Sequence, residues 1–140
     1  MARANLAQAQ LRYAILSGAT LFSANLDDAD MSGAYLDRIK APASFFRRAN
    51  LRNAILSQAM LTDARFTKAN LTSASLKDAR LDGAHLQDAD LRHADLTKAN
   101  LEGAHLERAD LRGADLRNVT GMTQAEIKAV AQTDPTTVWE

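Results

Sequence analysis

Large apolar residues recur at every fifth position along most of this chain. They stand at position 6, 11, 16 and so on up to 116, and the residue two places before each of them is almost always alanine. An α-helix turns about 100° per residue, so a five-residue period would spiral these side chains around a helix. A strand alternates its faces with period two, so an odd period would send successive side chains to opposite faces. Neither regular element explains the pattern.

A chain that bends once every five residues does explain it, because every large apolar side chain then faces the same interior. Four right-angle bends close a square coil of 20 residues. Coils stacked roughly 4.8 Å apart can pair their backbone N–H and C=O groups. The span from Leu6 to Leu116 therefore predicts a solenoid of about 5.5 four-sided coils, stabilised by contacts between neighbouring coils.

The residues around the apolar positions resemble a known repeat. Ala49-Asn50-Leu51, Ala69-Asn70-Leu71 and Ala89-Asp90-Leu91 match A-(D/N)-L-x-x, the pattern of the pentapeptide-repeat protein family. The resemblance covers about residues 4 to 118. It implies an all-β fold, a right-handed quadrilateral parallel β-helix, and the handedness comes from the family and not from the spacing. It also implies a bacterial source, especially cyanobacteria, where many such proteins have no known task.

One segment, residues 39–46, breaks the repeat without shifting its register. Ile39 is large where alanine is usual, and Ala41 is small where leucine is usual. These two exchanges roughly conserve volume, which protein cores tolerate best. We predict a local distortion of one corner, with a binding loop as the alternative. Phe46 and Phe66 lie 20 positions apart and are predicted to stack inside the coils.

The end of the chain predicts a C-terminal capping α-helix. Thr123 and Glu126 have the spacing of a capping box, in which each side chain bonds to the backbone of the other residue. Ile127 begins an apolar face with a spacing of three to four residues. We expect a helix over about residues 124–132 that covers the C-terminal end of the solenoid.

The domain organisation follows from where the repeat stops. Residues 1–120 are predicted to form the pentapeptide-repeat β-helix, and residues 121–140 the helical cap and tail of the same domain. Trp139 is expected to fold back onto the coils, with a dimer contact as the alternative. The residues before the first coil are too few to cover it, so we expect either that an upstream segment is missing or that this end meets a partner or a second copy.

Composition narrows the function classes. The chain has 17 basic and 17 acidic residues, which argues against nucleic acid or an anionic membrane as a partner. Cysteine is absent, so the chain has no disulfide and no thiolate nucleophile. No apolar run approaches the length of a membrane span, and the start of the chain lacks a signal-peptide core. A cytoplasmic location is expected, with the periplasm or thylakoid lumen as alternatives if a leader was removed.

The candidate binding site is an apolar surface on the N-terminal half. Residues that precede the inward leucine should point outward, and positions 20 apart should stack into columns. Contiguous exposed apolar side chains commonly mark contact surfaces. We call the predicted partner-binding residues, on one column and on the next face, the apolar patch: Ile15, Phe22, Tyr35, Pro42, Ile55 and Met60.

Two sets of polar residues are candidates for a metal site or for acid–base chemistry. His85 and His105 are predicted to stack one coil apart, but metal sites usually take three or four ligands. Asp90 with Asp110, and likewise the pair 95 and 115, should form acidic columns on a convex, wet surface with arginines nearby. Such a surface lacks the concave pocket that catalysis generally requires. We therefore predict no catalytic residue, no metal and no cofactor, and no enzyme activity.

Two functions remain. The first is a non-catalytic protein-binding or scaffold rod, with a protein partner or a homodimer through the N-terminal end or the apolar patch. The second follows from the family resemblance, since some members resemble DNA and bind DNA gyrase in its place. That mechanism needs an acidic surface. The net charge of each predicted face lies between −1 and +1, so the sequence favours the first function.

Overall fold

The backbone winds into stacked coils of 20 residues. The structure is a computed structural model and describes residues 3–140. Parallel bridges join each bridging residue to the residue 20 positions ahead, from Asn5–Asn25 through Asn100–Thr120. Each side of each coil contributes a single bridging residue, so within residues 3–140 the β-structure consists of isolated bridges and no longer strand is present. The expected extended pieces are this short because the chain turns again after five residues.

The core is one thin column of leucine and alanine side chains. All the large apolar positions from Leu21 to Leu116 are buried, as are the alanines between them. Phe46 and Phe66 stack as predicted, with ring centroids 4.7 Å apart and planes inclined by 7°. A coil has no core of its own, so each side chain is buried by the coil above and the coil below it.

Every corner of the coils contains a residue with a left-handed backbone. This residue lies two positions after the large apolar one, and the φ angle is 60° at Gln8 and 57° at Asn53. Most corner residues are not glycine, although this conformation costs an L-residue about 1–2 kcal/mol. The turn is closed by an N–H to C=O bond such as Ala54 to Leu51, at 3.0 Å.

The Asp or Asn of the repeat has a local structural role. Its side-chain oxygen accepts the backbone N–H two residues ahead, as in Arg52 to Asn50 at 3.2 Å and Thr97 to Asp95 at 2.9 Å. This is the Asx-turn, and it satisfies an N–H that does not bond to a neighbouring coil. The preference for Asp or Asn before the leucine follows from that bond.

The irregular segment keeps the coil but loosens one corner, in line with the predicted distortion. Within the described chain, the Ser44 N–H does not form the usual closing bond to the Ala41 carbonyl. The Ser44 hydroxyl instead accepts the Ala24 N–H at 3.1 Å and donates to the Leu21 carbonyl. Pro42 occupies the position whose N–H makes no bond between coils elsewhere, so proline removes no bond from the ladder.

The predicted C-terminal helix, α1, runs from Gln124 to Val130. Both bonds of the capping box are formed between Thr123 and Glu126. Ile127 is fully buried against the coils, whereas Val130 is 38% exposed. The helix is therefore two residues shorter than expected, and its contact with the core depends on one side chain instead of an apolar face.

The tail after α1 pairs with the last complete coil. Gln132 bridges Asp110 and Val138 bridges Asp115, so the partners are 22 and 23 positions apart instead of 20. Trp139 is partly buried against the core, as expected, and the Lys128 ammonium lies 5.2 Å from its ring centroid. The C-terminal edge of the coils is thus occupied by backbone from the same chain.

Candidate functional site

The first column of the apolar patch is assembled as predicted. Ile15 bridges Tyr35, and Tyr35 bridges Ile55, so the three side chains lie above one another on one face. Ile15 is 80% exposed and Tyr35 46% exposed, while Ile55 is half-buried. Because the backbone of this column is fixed by the coil ladder, its side chains present a pre-formed surface.

The adjoining face contributes less apolar area than expected. Phe22 is 41% exposed, and Pro42 stacks beside it and is half-buried. Met60 is also half-buried, but its bridge partners in the column are Lys40 and Arg80. The patch therefore consists of two apolar strips, and charged side chains border Met60.

Tyr13 belongs to the same surface and was missed in the sequence. It is 67% exposed, occupies a corner next to Ile15, and its ring covers Gly33 so closely that a β-carbon there would overlap it. The sequence could have predicted this contact, since positions 13 and 33 are 20 apart and a glycine leaves room for a large neighbouring side chain. Tyr13 extends the strip formed by Ile15 and Tyr35 around the corner.

The acidic columns are ion-paired and do not form carboxylate pairs for acid–base chemistry. The Arg92 side chain donates to Asp90 at 2.7 Å, and the Arg112 side chain donates to Asp110 at 2.6 Å. These arginine bonds are the largest cause that holds the pKa of Asp90 and Asp110 below the ordinary value of an aspartate. Catalytic pairs need carboxyl groups whose pKa values are driven apart, and here both are lowered.

The neighbouring acidic column consists of Asp95 and Asp115, and Asp115 is likewise bonded to an arginine of its own repeat. Asp115 accepts from the Arg117 side chain at 2.6 Å, and its pKa is lowered mainly by that bond. Asp95 accepts the Thr97 N–H and hydroxyl. Both carboxylates are thus committed to local turns.

Ion pairs also link successive coils on the face that contains Leu6. Arg48 donates to Asp28, and Arg108 donates to Asp88, in each case across one coil with bonds of 2.7 Å. The pKa of each aspartate is lowered, with the arginine hydrogen bond as the largest cause. These exposed pairs connect adjacent coils and compensate the charges of the four residues that form them.

His85 and His105 stack with ring centroids 4.8 Å apart and planes inclined by 21°. Burial, the neighbouring imidazole and the Arg65 charge lower the pKa of His85, in that order. Imidazole binds a metal in the plane of its ring, and stacked rings direct their lone pairs in parallel instead of toward one ion. Within residues 3–140 no group of three or more His, Asp or Glu is arranged to hold a metal ion.

The N-terminal end of the rod is open in the described chain. Leu6, Leu11 and Leu16 are only partly buried. The backbone N–H groups of Asn5 and Gln10 make no hydrogen bond within residues 3–140, whereas the corresponding groups of later coils bond to the preceding coil. The first coil of the described residues therefore has partly exposed leucines and backbone N–H groups without a bond to another coil.

The comparison with family models matches the pentapeptide repeats model, in eight copies, over residues 1–38, 44–83 and 84–120. The chain belongs to the pentapeptide-repeat family. Members of the family are right-handed β-helices, and the coils described above agree with that fold. The matched ranges omit residues 39–43, the part of the repeat in which Ile39 and Ala41 depart from the pattern.

Solved structures of other pentapeptide-repeat proteins are similar to this chain. HetL, involved in heterocyst differentiation regulation in the cyanobacterium Nostoc, is 28% identical with a TM-score of 0.65, over 84% of this chain and 56% of HetL. A protein of the Arabidopsis thaliana thylakoid lumen is 30% identical with a TM-score of 0.65, over 69% of this chain and 66% of that one. Nostoc alr5209 is 32% identical with a TM-score of 0.54, over 79% of this chain and 84% of its own.

This pentapeptide-repeat chain spans a little over half the length of HetL and about two thirds of the Arabidopsis protein. No significant match was found among curated proteins. Within residues 3–140, no helix has the length and apolar character needed to cross a bilayer.

Proposed function

We propose that this pentapeptide-repeat protein is a non-catalytic rod that binds a protein partner through the apolar patch. The observation that supports the proposal is the column of Ile15, Tyr35 and Ile55, exposed on a rigid ladder of bridges. Aromatic and branched apolar side chains held in fixed positions lose little conformational entropy on binding. Tyr13 enlarges the same surface. A second copy of the chain, docked through this patch or through the open N-terminal end, is the alternative partner.

The test is a charge introduced into the column. In Tyr35→Lys combined with Ile55→Lys, an ammonium group replaces each apolar contact, so partner binding or self-association should fall at least tenfold. Ser75→Lys is the matched control, because it lies one coil further along the same column but outside the patch. The partner is first captured from the native source and then measured with purified protein. Light scattering against concentration reports self-association. Equal binding by all three proteins would disprove a role for the patch.

The gyrase-binding alternative is disfavoured by the charge distribution. A protein that takes the place of DNA presents acidic groups at a density comparable to phosphates. Here Asp90, Asp110 and Asp115 are each paired with an arginine of their own repeat. A DNA-supercoiling assay decides the point, since inhibition or drug protection of gyrase at micromolar protein would restore the alternative.

The proposal also includes the number of coils, the bounds of the repeat domain and the role of the C-terminal residues. The rod contains about 5.5 coils, its repeat domain is residues 1–120, and residues 121–140 act as a cap that blocks end-to-end association. Support for the cap comes from Ile127 and from the tail bridges at the C-terminal edge.

A cytoplasmic location is proposed, with the periplasm or thylakoid lumen as alternatives, and fractionation of the native cells tests it. Nucleic acid and membrane are not proposed as partners.

A further inference from the structure

A groove of about 680 Å³ runs along the corner next to the Phe22 strip of the apolar patch. We call it the corner groove. It is lined by Arg3, Ser23, Ala43, Phe45, Asp63, Arg65 and His85. Ser23 and Ala43 are corner residues with small side chains, which is why the surface is recessed there. The groove is therefore a consequence of small corners flanked by long side chains.

The cations of the corner groove lack carboxylate partners. Of the twelve arginines in the chain, nine form an ion pair within residues 3–140. Two of the other three, Arg3 and Arg65, line this groove, and the third, Arg52, lies on a different face. Most arginines of the described surface are paired with acids, so two unpaired guanidinium groups that line one recess create a local site for an anion.

One of these two cations, Arg65, lies against an aromatic ring of the groove. Phe45 is half-buried, and the guanidinium groups of Arg65 and Arg47 lie 5.2 Å and 5.4 Å from its centroid. Arg47 is already paired with Asp27, so Arg65 is the cation left for a ligand. Stacking on the ring holds the Arg65 side chain in place, which lowers the entropy cost of binding an anion.

The spacing of the groove matches an extended peptide. Arg3 lies three coils before Arg65 in the stack, a separation of roughly 14 Å at 4.8 Å per coil. In an extended chain, residues i and i+4 point to the same side and lie about 13.6 Å apart, with residue i+2 between them on that side. An acid at each end would meet the two arginines, and the central side chain would meet Phe45 and Ala43.

We propose that the corner groove binds an extended acidic segment of a protein partner, with acids at positions i and i+4 and an apolar residue at i+2. The proposal goes beyond the apolar patch, because it names a separate site and a ligand chemistry. Asp63 opposes the ligand, since this acidic residue lines the same groove. Its presence predicts weak binding by a single short segment and gives a position at which binding can be strengthened.

The test uses a fluorescein-labelled peptide, Gly-Glu-Ser-Phe-Ser-Glu-Gly, titrated with the intact protein and followed by fluorescence anisotropy at low salt. Arg65→Gln should weaken binding about tenfold, because one charged hydrogen bond is lost. Asp63→Asn should strengthen it severalfold. Arg52→Gln is the matched control, since it removes an unpaired arginine outside the groove, and it should leave binding unchanged. A peptide with lysine in place of both glutamates should not bind.

The spacing between the two acids of the peptide gives a more selective test of the proposal. A peptide with the second acid moved to i+3 presents that acid on the opposite side and should bind more weakly than the i, i+4 peptide. Equal binding of the two peptides, equal loss from Arg52→Gln and Arg65→Gln, or no saturable binding would each overturn the proposal. Tyr35→Lys combined with Ile55→Lys leaves the groove intact and should bind the peptide normally. Failure of the groove and failure of the apolar patch can thus be told apart.

Discussion

The left-handed corners make a quantitative prediction that can be tested at single residues. Gly103 has a φ angle of +64°, and a β-carbon added there would meet nothing closer than the Gly83 backbone nitrogen at 4.0 Å. Gly103→Ala therefore adds no steric overlap and isolates the cost of the backbone conformation. That cost is about 1–2 kcal/mol, and the reduced entropy of the unfolded chain returns about 0.4–1 kcal/mol. The expected net loss of stability is about 1 kcal/mol.

The reverse change at another corner should do the opposite. Ala43 already has a β-carbon and a φ angle of 53°. Ala43→Gly relieves the same strain and should raise the free energy of unfolding by about 1 kcal/mol. The double variant of Ala43→Gly and Gly103→Ala should return close to the parent, because the two sites lie three coils apart and share no contact.

Gly121, which lies between the last repeat and α1, provides the contrast. Gly121 has a φ angle of +84°, and an added β-carbon would overlap the backbone nitrogen and Cα of Glu102. Backbone cannot rotate away as a flexible side chain can, so Gly121→Ala should cost about 3 kcal/mol or more. The measurement is urea unfolding followed by circular dichroism, comparing midpoints between variants with an unchanged slope. Destabilisation by Ala43→Gly, or equal effects of Gly103→Ala and Gly121→Ala, would refute the reasoning.

The remaining predictions concern the core, the helix cap and the dependence of stability on pH. Leu71→Ala should cost about 2–5 kcal/mol in urea unfolding, because the side chain is fully buried and its neighbours are fixed by the ladder; an unchanged midpoint would contradict the packing. Thr123→Ala removes one bond of the capping box and should cost about 1 kcal/mol by the same measurement, with Thr123→Ser as the control that keeps it. The pKa of Asp110 is lowered in the folded state by the hydrogen bond from Arg112. The ionised carboxylate therefore contributes its full stabilisation of the fold above the ordinary aspartate pKa near 4, and this stabilisation is lost as the pH falls through the lowered pKa of the folded state. Asp110→Asn should therefore destabilise at pH 7 and much less at pH 2.5, and an equal loss at both would contradict the ion pair.

The sequence by itself determined the coil, its register and the vertical neighbours. An unbroken five-residue period leaves one way to bury every large apolar side chain, so residues 20 apart must be adjacent. That is why the stacks of Phe46 on Phe66 and of His85 on His105 could be predicted from numbering alone. The capping box of α1 was equally readable, because its two bonds join residues three positions apart.

The lateral neighbours were decided only by the tertiary structure. Long side chains can turn up, down or sideways from their column, so numbering did not show that Arg92 bonds to Asp90 of its own repeat while Arg48 bonds to Asp28 one coil away. Likewise, the strip beside Tyr13 and the corner groove with Phe45 depend on how side chains cross a corner.

The ends of the rod were decided by tertiary contacts as well. The tail pairs with offsets of 22 and 23 residues, and only the chain's path around α1 sets those offsets. Ile127, and not Val130, is the helix residue that meets the core, because a seven-residue helix lying over a narrow tube can insert only one large side chain. The five-residue repeat determines the coil and the residues that stack 20 positions apart. Contacts across corners, the directions of long side chains and the structure of the ends depend on the three-dimensional arrangement of particular residues.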